Sequence, residues 1–149
     1  MIRSVTITAL SLAALLVPAL SAQAEQEKVV TEASQSYGPH LSAQDGRTVY
    51  LFTADQGKTS ACSGDCAKAW PPMMTTGAPL AGPGANPHLL GTIQRNDGTQ
   101  VTYAGHPLYY FVRDKAPGET AGEGINHFGG SWYLVGPAGT AITEKKSSS

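Results

Sequence analysis

The chain has 149 residues and a nearly balanced charge, with 10 Lys and Arg against 11 Asp and Glu and a net charge of −1. The cations are scattered, and binding to phosphate groups requires a clustered basic surface, so nucleic acid and anionic membrane surfaces are not expected as partners. This length suits one domain with a modest core, and two separate cores would be hard to fill.

An apolar segment opens the chain. Arg3 precedes an apolar run from about Val5 to Leu20, and small residues stand at Ala22 and Ala24. This pattern is typical of a secretory signal peptide, so we expect residues 1–24 to be cleaved after Ala24 and the rest to be periplasmic or secreted. A membrane anchor is the alternative, but the run is short and contains hydroxyl residues. The first cysteine is Cys62, so we expect no lipid anchor.

Residues 25–142 are predicted to form a single all-β domain. Strand patterns occur around residues 28–31 and 48–54, in a three-stranded meander over 92–112, and at 131–135. Asp45-Gly46, Asp97-Gly98 and Ala104-Gly105 separate these runs, and glycine accepts the positive φ that hairpin turns need. A sandwich or a barrel-like fold is therefore expected.

The segments between the strands give weaker signals. Residues 77–91 hold four Gly and three Pro, which predicts a coil linker between two halves. Only residues 65–70 are expected to form a short helical turn. The glycine-rich segment 118–130 is expected to be a flexible, exposed loop, and residues 143–149 a disordered tail.

One phrase occurs twice in the sequence. Y-L-F-T-A-D begins at Tyr50 and Y-Y-F-V-R-D at Tyr109, so the matching pairs are Tyr50 with Tyr109, Phe52 with Phe111, and Asp55 with Asp114. Trp70 and Trp132 follow the two phrases. Self-similarity of this kind marks duplicated units that bury their apolar faces against each other. We place the repeats at about 37–76 and 92–139, and expect two related β-meander halves.

The repeated phrase predicts strands that are buried on both faces. Alternation puts Tyr50 and Phe52 on one face and Val49 and Leu51 on the other, and the second copy has the same pattern. The aspartate at each strand end can then accept backbone N–H groups of the following turn. The other interpretation, an aromatic binding surface with an acidic rim, requires both tyrosine rings to be exposed in one groove.

Cys62 and Cys66 are the two cysteines of the chain. In an exported protein such a pair favours a disulfide, which here closes a very short loop. The main alternative is a copper site, in which the two thiolates are joined by one of four scattered histidines, His40, His88, His106 and His127, or by Met73 or Met74. A redox-active pair is the third interpretation, although the spacing is C-x-x-x-C rather than C-x-x-C.

Enzyme signatures are missing from the sequence. No serine-hydrolase, zinc-protease, nucleotide-binding or dinucleotide-binding motif occurs. Asp55 and Asp114 are the one pair of carboxylates that a hydrolase would use, although equivalent turn caps are the preferred interpretation. We therefore expect a protein that is not an enzyme, with no catalytic residues and no cofactor apart from the copper alternative.

The two copies of Y-x-F-x-x-D, the S-A-C-S-G-D-C-A-K-A-W-P-P block, and the G-H-P-L-Y-Y-F and H-F-G-G-S-W-Y-L-V segments resemble the bacterial "secreted repeat of unknown function" family. The resemblance extends over about residues 37–139. Members are often described as predicted lipoproteins with a Y-x-(F/W/Y)-x-x-D motif, and this chain resembles a member without a lipid anchor. The resemblance implies export and implies no activity, substrate or cofactor.

Together these features predict a non-enzymatic binding or interaction module of the cell envelope, whose partner is an envelope protein or a small ligand. The alternatives are a periplasmic copper-binding or electron-transfer accessory protein that uses Cys62 and Cys66, and then a hydrolase that uses Asp55 and Asp114.

Overall fold

The structure is a computed structural model that describes residues 13–17 and 26–147. The predicted cleavage after Ala24 and the last two residues of the predicted tail lie outside the described residues. Among the residues described, no helix has the length and apolar character needed to span a membrane.

The described chain consists mostly of short β-strands, as predicted. The strands, in chain order, are β1 (Lys28–Ser34), β2 (Gly38–Ala43), β3 (Tyr50–Phe52), β4 (Met74–Thr75), β5 (Leu80–Ala81), β6 (Leu90–Arg95), β7 (Gly98–Tyr103), β8 (His106–Pro107), β9 (Asn126–His127), β10 (Gly130–Val135) and β11 (Ala141–Ile142). A helix α1 (Asp65–Ala69) and a 3-10 helix (Pro87–Leu89) complete the set. The helix confirms the turn predicted near 65–70, and it ends where Pro71 and Pro72 follow, because the residue before a proline avoids helical geometry.

The strands lie in three sheets rather than in a closed barrel. Their orders are β2-β1-β5, then β11-β10-β3 with β9 beside β10, and then β4-β7-β6 with β8 beside β7. The β6–β7 and β7–β8 hairpins confirm most of the predicted meander. Ala104 and Gly105 have φ of 50° and 82°, as a two-residue turn of type I′ requires.

Two boundaries of the predicted meander were wrong. The first turn is formed by Asn96 and Asp97, while Gly98 already pairs with Arg95 as the first residue of β7. The third strand ends at Pro107 instead of continuing to residue 112. Beyond it only Tyr109 forms bridges, with Tyr50 and Pro72, because Pro71 and Pro72 have no N–H group to continue a ladder.

The prediction of coil over residues 77–91 was also wrong in part. Leu80 and Ala81 form β5, which pairs in parallel with Lys28 and Val29 of β1. The Gly82 N–H group donates to the Val29 carbonyl at 2.7 Å, and the Thr31 N–H group donates to the Pro83 carbonyl at 2.9 Å. A segment with prolines can form an edge strand, because proline has no N–H group and the solvent side of an edge strand requires no backbone hydrogen bond.

The two halves exchange strands. Leu134 of β10, in the second half, pairs with Tyr50 of β3 in the first half. In return Met73 of the first half donates its N–H group to the Leu108 carbonyl at 2.9 Å. Between these outer segments, Tyr50 and Tyr109 bond to each other through both backbone groups, at 2.8 and 3.0 Å. Neither half can therefore complete its pairing alone.

The core forms two clusters, one on each face of this central ladder. The aromatic cluster consists of Tyr50, Phe52, Cys62, Cys66, Trp70, Tyr109, Phe111, Trp132 and Leu134. The opposite cluster includes Val49, Leu51, Leu108 and Tyr110 together with residues of β1, β2 and β7. Both repeated segments, 49–52 and 108–111, are thus buried on both faces, in the alternation that the sequence predicts.

Candidate functional site

The repeated motif makes hydrogen bonds across the two halves. The Tyr50 hydroxyl, in the first half, donates to Asp114 Oδ2 in the second half at 2.7 Å. The Tyr109 hydroxyl, in the second half, donates to Asp55 Oδ2 in the first half at 2.8 Å. The Tyr50 and Tyr109 residues are fully buried, so the interpretation of the motif as an exposed aromatic binding surface was wrong.

Each aspartate also closes the turn that follows its own strand. Asp55 Oδ1 accepts the Ala61 N–H group at 2.7 Å, and Asp114 Oδ1 accepts the Ala121 N–H group at 2.9 Å. The predicted cap of the strand end is confirmed for Asp55, which follows β3, and Asp114 makes the equivalent bond after residues 109–111, which form no regular strand. Burial raises the pKa of both carboxyl groups above the ordinary value of 3.8, and these hydrogen bonds oppose the rise in pKa only in part.

The two tryptophans complete the aromatic cluster as a stack of four rings. Trp70 stacks on Trp132 with ring centroids 4.0 Å apart. Phe52 lies on the other side of Trp132 at 4.0 Å, and Phe111 lies on the other side of Trp70 at 4.1 Å. Each phenylalanine therefore stacks on the tryptophan of the other half. The motif residues and both tryptophans serve this interlocked core.

The disulfide loop has no equivalent in the second half. Cys62 and Cys66 are bonded with an S–S distance of 2.02 Å, which confirms the predicted disulfide. Both sulfurs are bonded to each other, so in this state neither is available as a thiolate ligand. The bridge joins the loop after Asp55 to helix α1, which leads directly into Trp70.

A buried arginine ties this loop to the second half. The Arg95 side chain is only 8% exposed and lies at the end of β6. Its guanidinium donates to Ser60 Oγ at 2.7 Å, to the Cys62 carbonyl at 2.9 Å and to Asp97 at 3.0 Å. Ser60 Oγ lies 2.6 Å from the Tyr109 hydroxyl, so this network extends to the motif. The Arg95 hydrogen bond lowers the pKa of Asp97.

An open groove lies beside the disulfide loop, with a volume of about 490 Å³. It is lined by residues 58–60, 62–64 and Ala67 of the first half and by residues 94–97 of the second half. Its polar lining includes Lys58, Ser63, Gln94, Asn96 and the Arg95–Asp97 pair. Lys58 makes no ion pair with any residue that the structure describes. The groove therefore offers one unpaired cation among hydroxyl and amide groups.

The corresponding loop of the second half is held differently. Residues 118–130 are mostly exposed or half-buried, as predicted, but Gly122 is buried. Gly122 packs against the rings of Trp70 and Tyr50, so that a Cβ atom there would lie 2.8 Å from both. The Gly124 N–H group donates to the Trp132 carbonyl, and the Leu134 N–H group donates to Glu123. Hydrogen bonds to β10 thus do here what the disulfide does in the first half.

The predicted metal ligands are not brought together. His40 is buried with Nδ1 3.3 Å from the Leu41 carbonyl, whereas His88 and His127 are exposed and His106 is half-buried at the β7–β8 turn. Met73 is fully buried in the opposite cluster. Among residues 13–17 and 26–147, no group of three or more His, Cys, Asp or Glu could hold a metal ion.

Sequence reasoning missed the residues that couple the loop to the second half, Ser60, Arg95 and Gln100. Gln100 is fully buried and donates to the Leu108 carbonyl at 2.8 Å. The sequence gives one indication of these residues: Arg95 and Gln100 lie on either side of the turn of the β6–β7 hairpin. The predicted tail also has one contact, from the Lys146 N–H group to the Ser36 carbonyl at 2.6 Å.

This fold defines a class of small β-proteins built from two interlocked repeats. The family model described as a "secreted repeat of unknown function" matches residues 31–74 and 91–136, which together are more than half of the chain. The protein belongs to this family, and the two matched segments correspond to the predicted repeats. No curated protein and no solved structure shows significant similarity to the chain.

Proposed function

We propose that this secreted-repeat protein is a non-enzymatic binding module of the cell envelope, and that the groove beside the disulfide loop is its ligand site. The observation that carries the proposal is the asymmetry of the fold. The duplicated motif serves the core in both halves, whereas the groove lies between Arg95 of the second half and a disulfide loop that the first half alone carries.

The state of the two aspartates supports a role other than catalysis. Each carboxylate accepts one backbone N–H group and one tyrosine hydroxyl, so both oxygens of Asp55 and of Asp114 already have a donor from the protein. A general acid or base must reach a substrate proton within hydrogen-bonding distance. These carboxylates instead hold the two halves together.

The groove lining indicates a polar ligand with an anionic group. Lys58 is exposed and unpaired within the described chain, and the charge of Arg95 is balanced by Asp97. Hydroxyl and amide groups of Ser63, Gln94 and Asn96 supply further donors and acceptors. The disulfide and the Arg95 network fix both walls, which reduces the entropy that a ligand must overcome on binding.

The proposal is tested by titrating the protein with triglutamate, with a uronic-acid oligosaccharide and with inorganic phosphate, while amide shifts are followed by NMR. We expect one of these probes to shift residues 58–64 and 94–97 in a saturable way. The Lys58→Glu variant should weaken that binding at least about fivefold, since one close charge contact is worth about 1 kcal/mol.

Lys115→Glu is the matched control, because Lys115 is an exposed lysine that follows the motif of the second half. It makes the same change of charge outside the groove and should leave binding unchanged. Shifts that fall elsewhere, or equal effects of the two variants, would contradict the assignment of the groove.

A further inference from the structure

The β1–β2 hairpin of the first half corresponds to the β6–β7 hairpin of the second half. Val29 of β1 faces Ala43, and Leu90 of β6 faces Tyr103, which places Thr31 of the first hairpin in the position of Thr92 of the second. The outer edges of β1 and β6 are therefore equivalent surfaces of the duplicated fold.

The outer edge of β1 is covered by the chain itself. Residues 80–83 run parallel to it, and their backbone groups bond to Val29 and Thr31 at 2.7 and 2.9 Å. Thr31 is half-buried as a result. The linker thus acts as an added strand on the first hairpin.

The equivalent edge of β6 is open. Val101 of β7 uses its N–H group and its carbonyl on the far side of that strand, to Met73 at 2.8 Å and to Leu108 at 3.0 Å. Thr92, which faces Val101, therefore directs both of its backbone groups away from β7. Gln94 does the same two residues later. Within the described chain neither residue has a backbone partner on this side.

β6 also lacks the features that usually protect an edge. Its sequence, L-G-T-I-Q-R, contains no proline and no lysine, and the Thr92 and Gln94 residues are exposed. The chain continues from β6 into the turn at residues 96–97, and no strand of the described chain covers the outer edge of β6. The edge therefore presents unpaired backbone donors and acceptors at strand spacing.

We propose that the outer edge of β6 binds an extended polypeptide segment of a partner protein as an added parallel strand, in the way that residues 80–83 cover β1. Strand addition of this kind takes its affinity from backbone hydrogen bonds. The proposal does not depend on the groove being a ligand site, because the two surfaces share only Gln94 and the strand end.

The two edges differ in one steric feature, which determines the size of the side chain that the partner can place there. On β1, a Cβ atom at Gly82 of the covering segment would lie 2.5 Å from Val30 Cγ1, so that position must be glycine. On β6, the counterpart of Val30 is Gly91, which has no side chain. The partner of β6 can therefore have a bulky residue where the linker needs glycine.

A synthetic peptide of residues 78–85 carrying Gly82→Val is the probe. It is too bulky to displace the linker beside Val30 but fits beside Gly91. We expect saturable shifts and slowed hydrogen exchange at the Thr92 and Gln94 amides, with no change at Thr31. A spin label at the amino end of the peptide should broaden Leu90 more than Arg95, because the added strand is parallel.

Thr92→Pro tests the backbone bond directly. Proline is tolerated on an edge strand where the N–H group points to solvent, so the variant should keep its fold, as near-UV circular dichroism will show. Peptide affinity should fall about tenfold, because one hydrogen bond to the partner is lost. Thr92→Val keeps the N–H group and should bind as the unchanged protein does.

Three results would overturn the proposal. The first is saturable binding whose exchange protection falls outside β6. The second is equal affinity of the Thr92→Pro and Thr92→Val variants. The third is self-association of the protein through β6, seen by sedimentation and abolished by Thr92→Pro, because the occupant of the edge would then be a second copy. If Thr92→Pro does not fold, hydrogen exchange of the unchanged protein with and without the peptide still decides the first outcome, because protection must appear at Thr92 and Gln94.

Discussion

The first half of the molecule closes its motif loop with a covalent bond between Cys62 and Cys66, whereas the second half closes the equivalent loop with hydrogen bonds from Gly124 and Leu134. The core beneath the two loops is nearly the same on both sides. The duplicated core residues thus make the same contacts in both halves, while the loops that cover the core differ. The comparison therefore indicates that the loops, rather than the core, are where the two halves can differ in their surfaces.

The largest expected effect comes from breaking the shared core. Trp70→Ala and Trp132→Ala each remove a fully buried ring from the middle of the four-ring stack. We expect each to lower the free energy of unfolding by about 3–5 kcal/mol, measured by denaturant titration. The two values should be similar, because the two rings have equivalent neighbours.

Val112→Ala is the control for these variants, since Val112 is 43% exposed and should change the free energy of unfolding by less than about 0.5 kcal/mol. A loss confined to one of the two tryptophan variants would show that the two halves of the core are not equivalent.

Removal of the disulfide should loosen the loop of the first half and leave the loop of the second half unchanged. The double variant Cys62→Ala, Cys66→Ala is expected to lower the free energy of unfolding by about 2 kcal/mol, because the closed loop is very short. Hydrogen exchange should become faster at residues 56–66 and stay unchanged at 118–130. Ser63→Ala changes an exposed residue of the same loop and serves as the control. Faster exchange in both loops would contradict their independence.

The crossed tyrosine–aspartate bonds should have similar energies in the two halves. Tyr50→Phe and Tyr109→Phe each leave a partly buried carboxylate without one donor, and each should cost about 1–3 kcal/mol. Double-mutant cycles with Asp114→Asn and Asp55→Asn measure each pair. Tyr133→Phe is a suitable control, since the Tyr133 hydroxyl makes no side-chain hydrogen bond within the described chain. A cycle that pairs Tyr50 with Asp55 instead would refute the crossing.

The smallest effect is a dependence of stability on pH that both halves share. Burial raises the pKa of Asp55 and of Asp114 in the folded state above 3.8. The folded protein then holds these protons more tightly than the unfolded chain does. Their contribution to stability is fully present below pH 3.8 and is lost as pH rises through the raised pKa.

The Asp55→Asn, Asp114→Asn double variant should lack this component when denaturant midpoints are compared across that pH window. Either single variant should remove about half of it. An unchanged pH profile in the double variant would show that the two carboxylates do not carry the dependence.

Sequence reasoning predicted the features that depend on local pattern. Alternation placed Tyr50 and Phe52 on one buried face, the spacing of Cys62 and Cys66 favoured a disulfide, and Asp55 was expected to cap its strand. Each of these follows from residues that are near one another along the chain.

Features that depend on the meeting of distant segments could not be predicted in this way. The motif does not predict that Tyr50 bonds to Asp114 rather than to Asp55. Alternation predicts which face of the strand a side chain lies on, but it does not predict which loop packs against that face. The parallel strand at Leu80 was hidden by its glycines and prolines. Arg95 was overlooked because a buried arginine depends on acceptors, such as the Cys62 carbonyl, from the other half.

The exchange of strands between the halves has a consequence for the order of folding during export. The partner of Tyr50 in β10 is Leu134, which is synthesised long after β3. The first half therefore stays incomplete until nearly the whole chain has been delivered, and contacts between such distant residues slow folding. The pairing of β3 with β10 therefore ties the folding of the first half to the last strands of the chain.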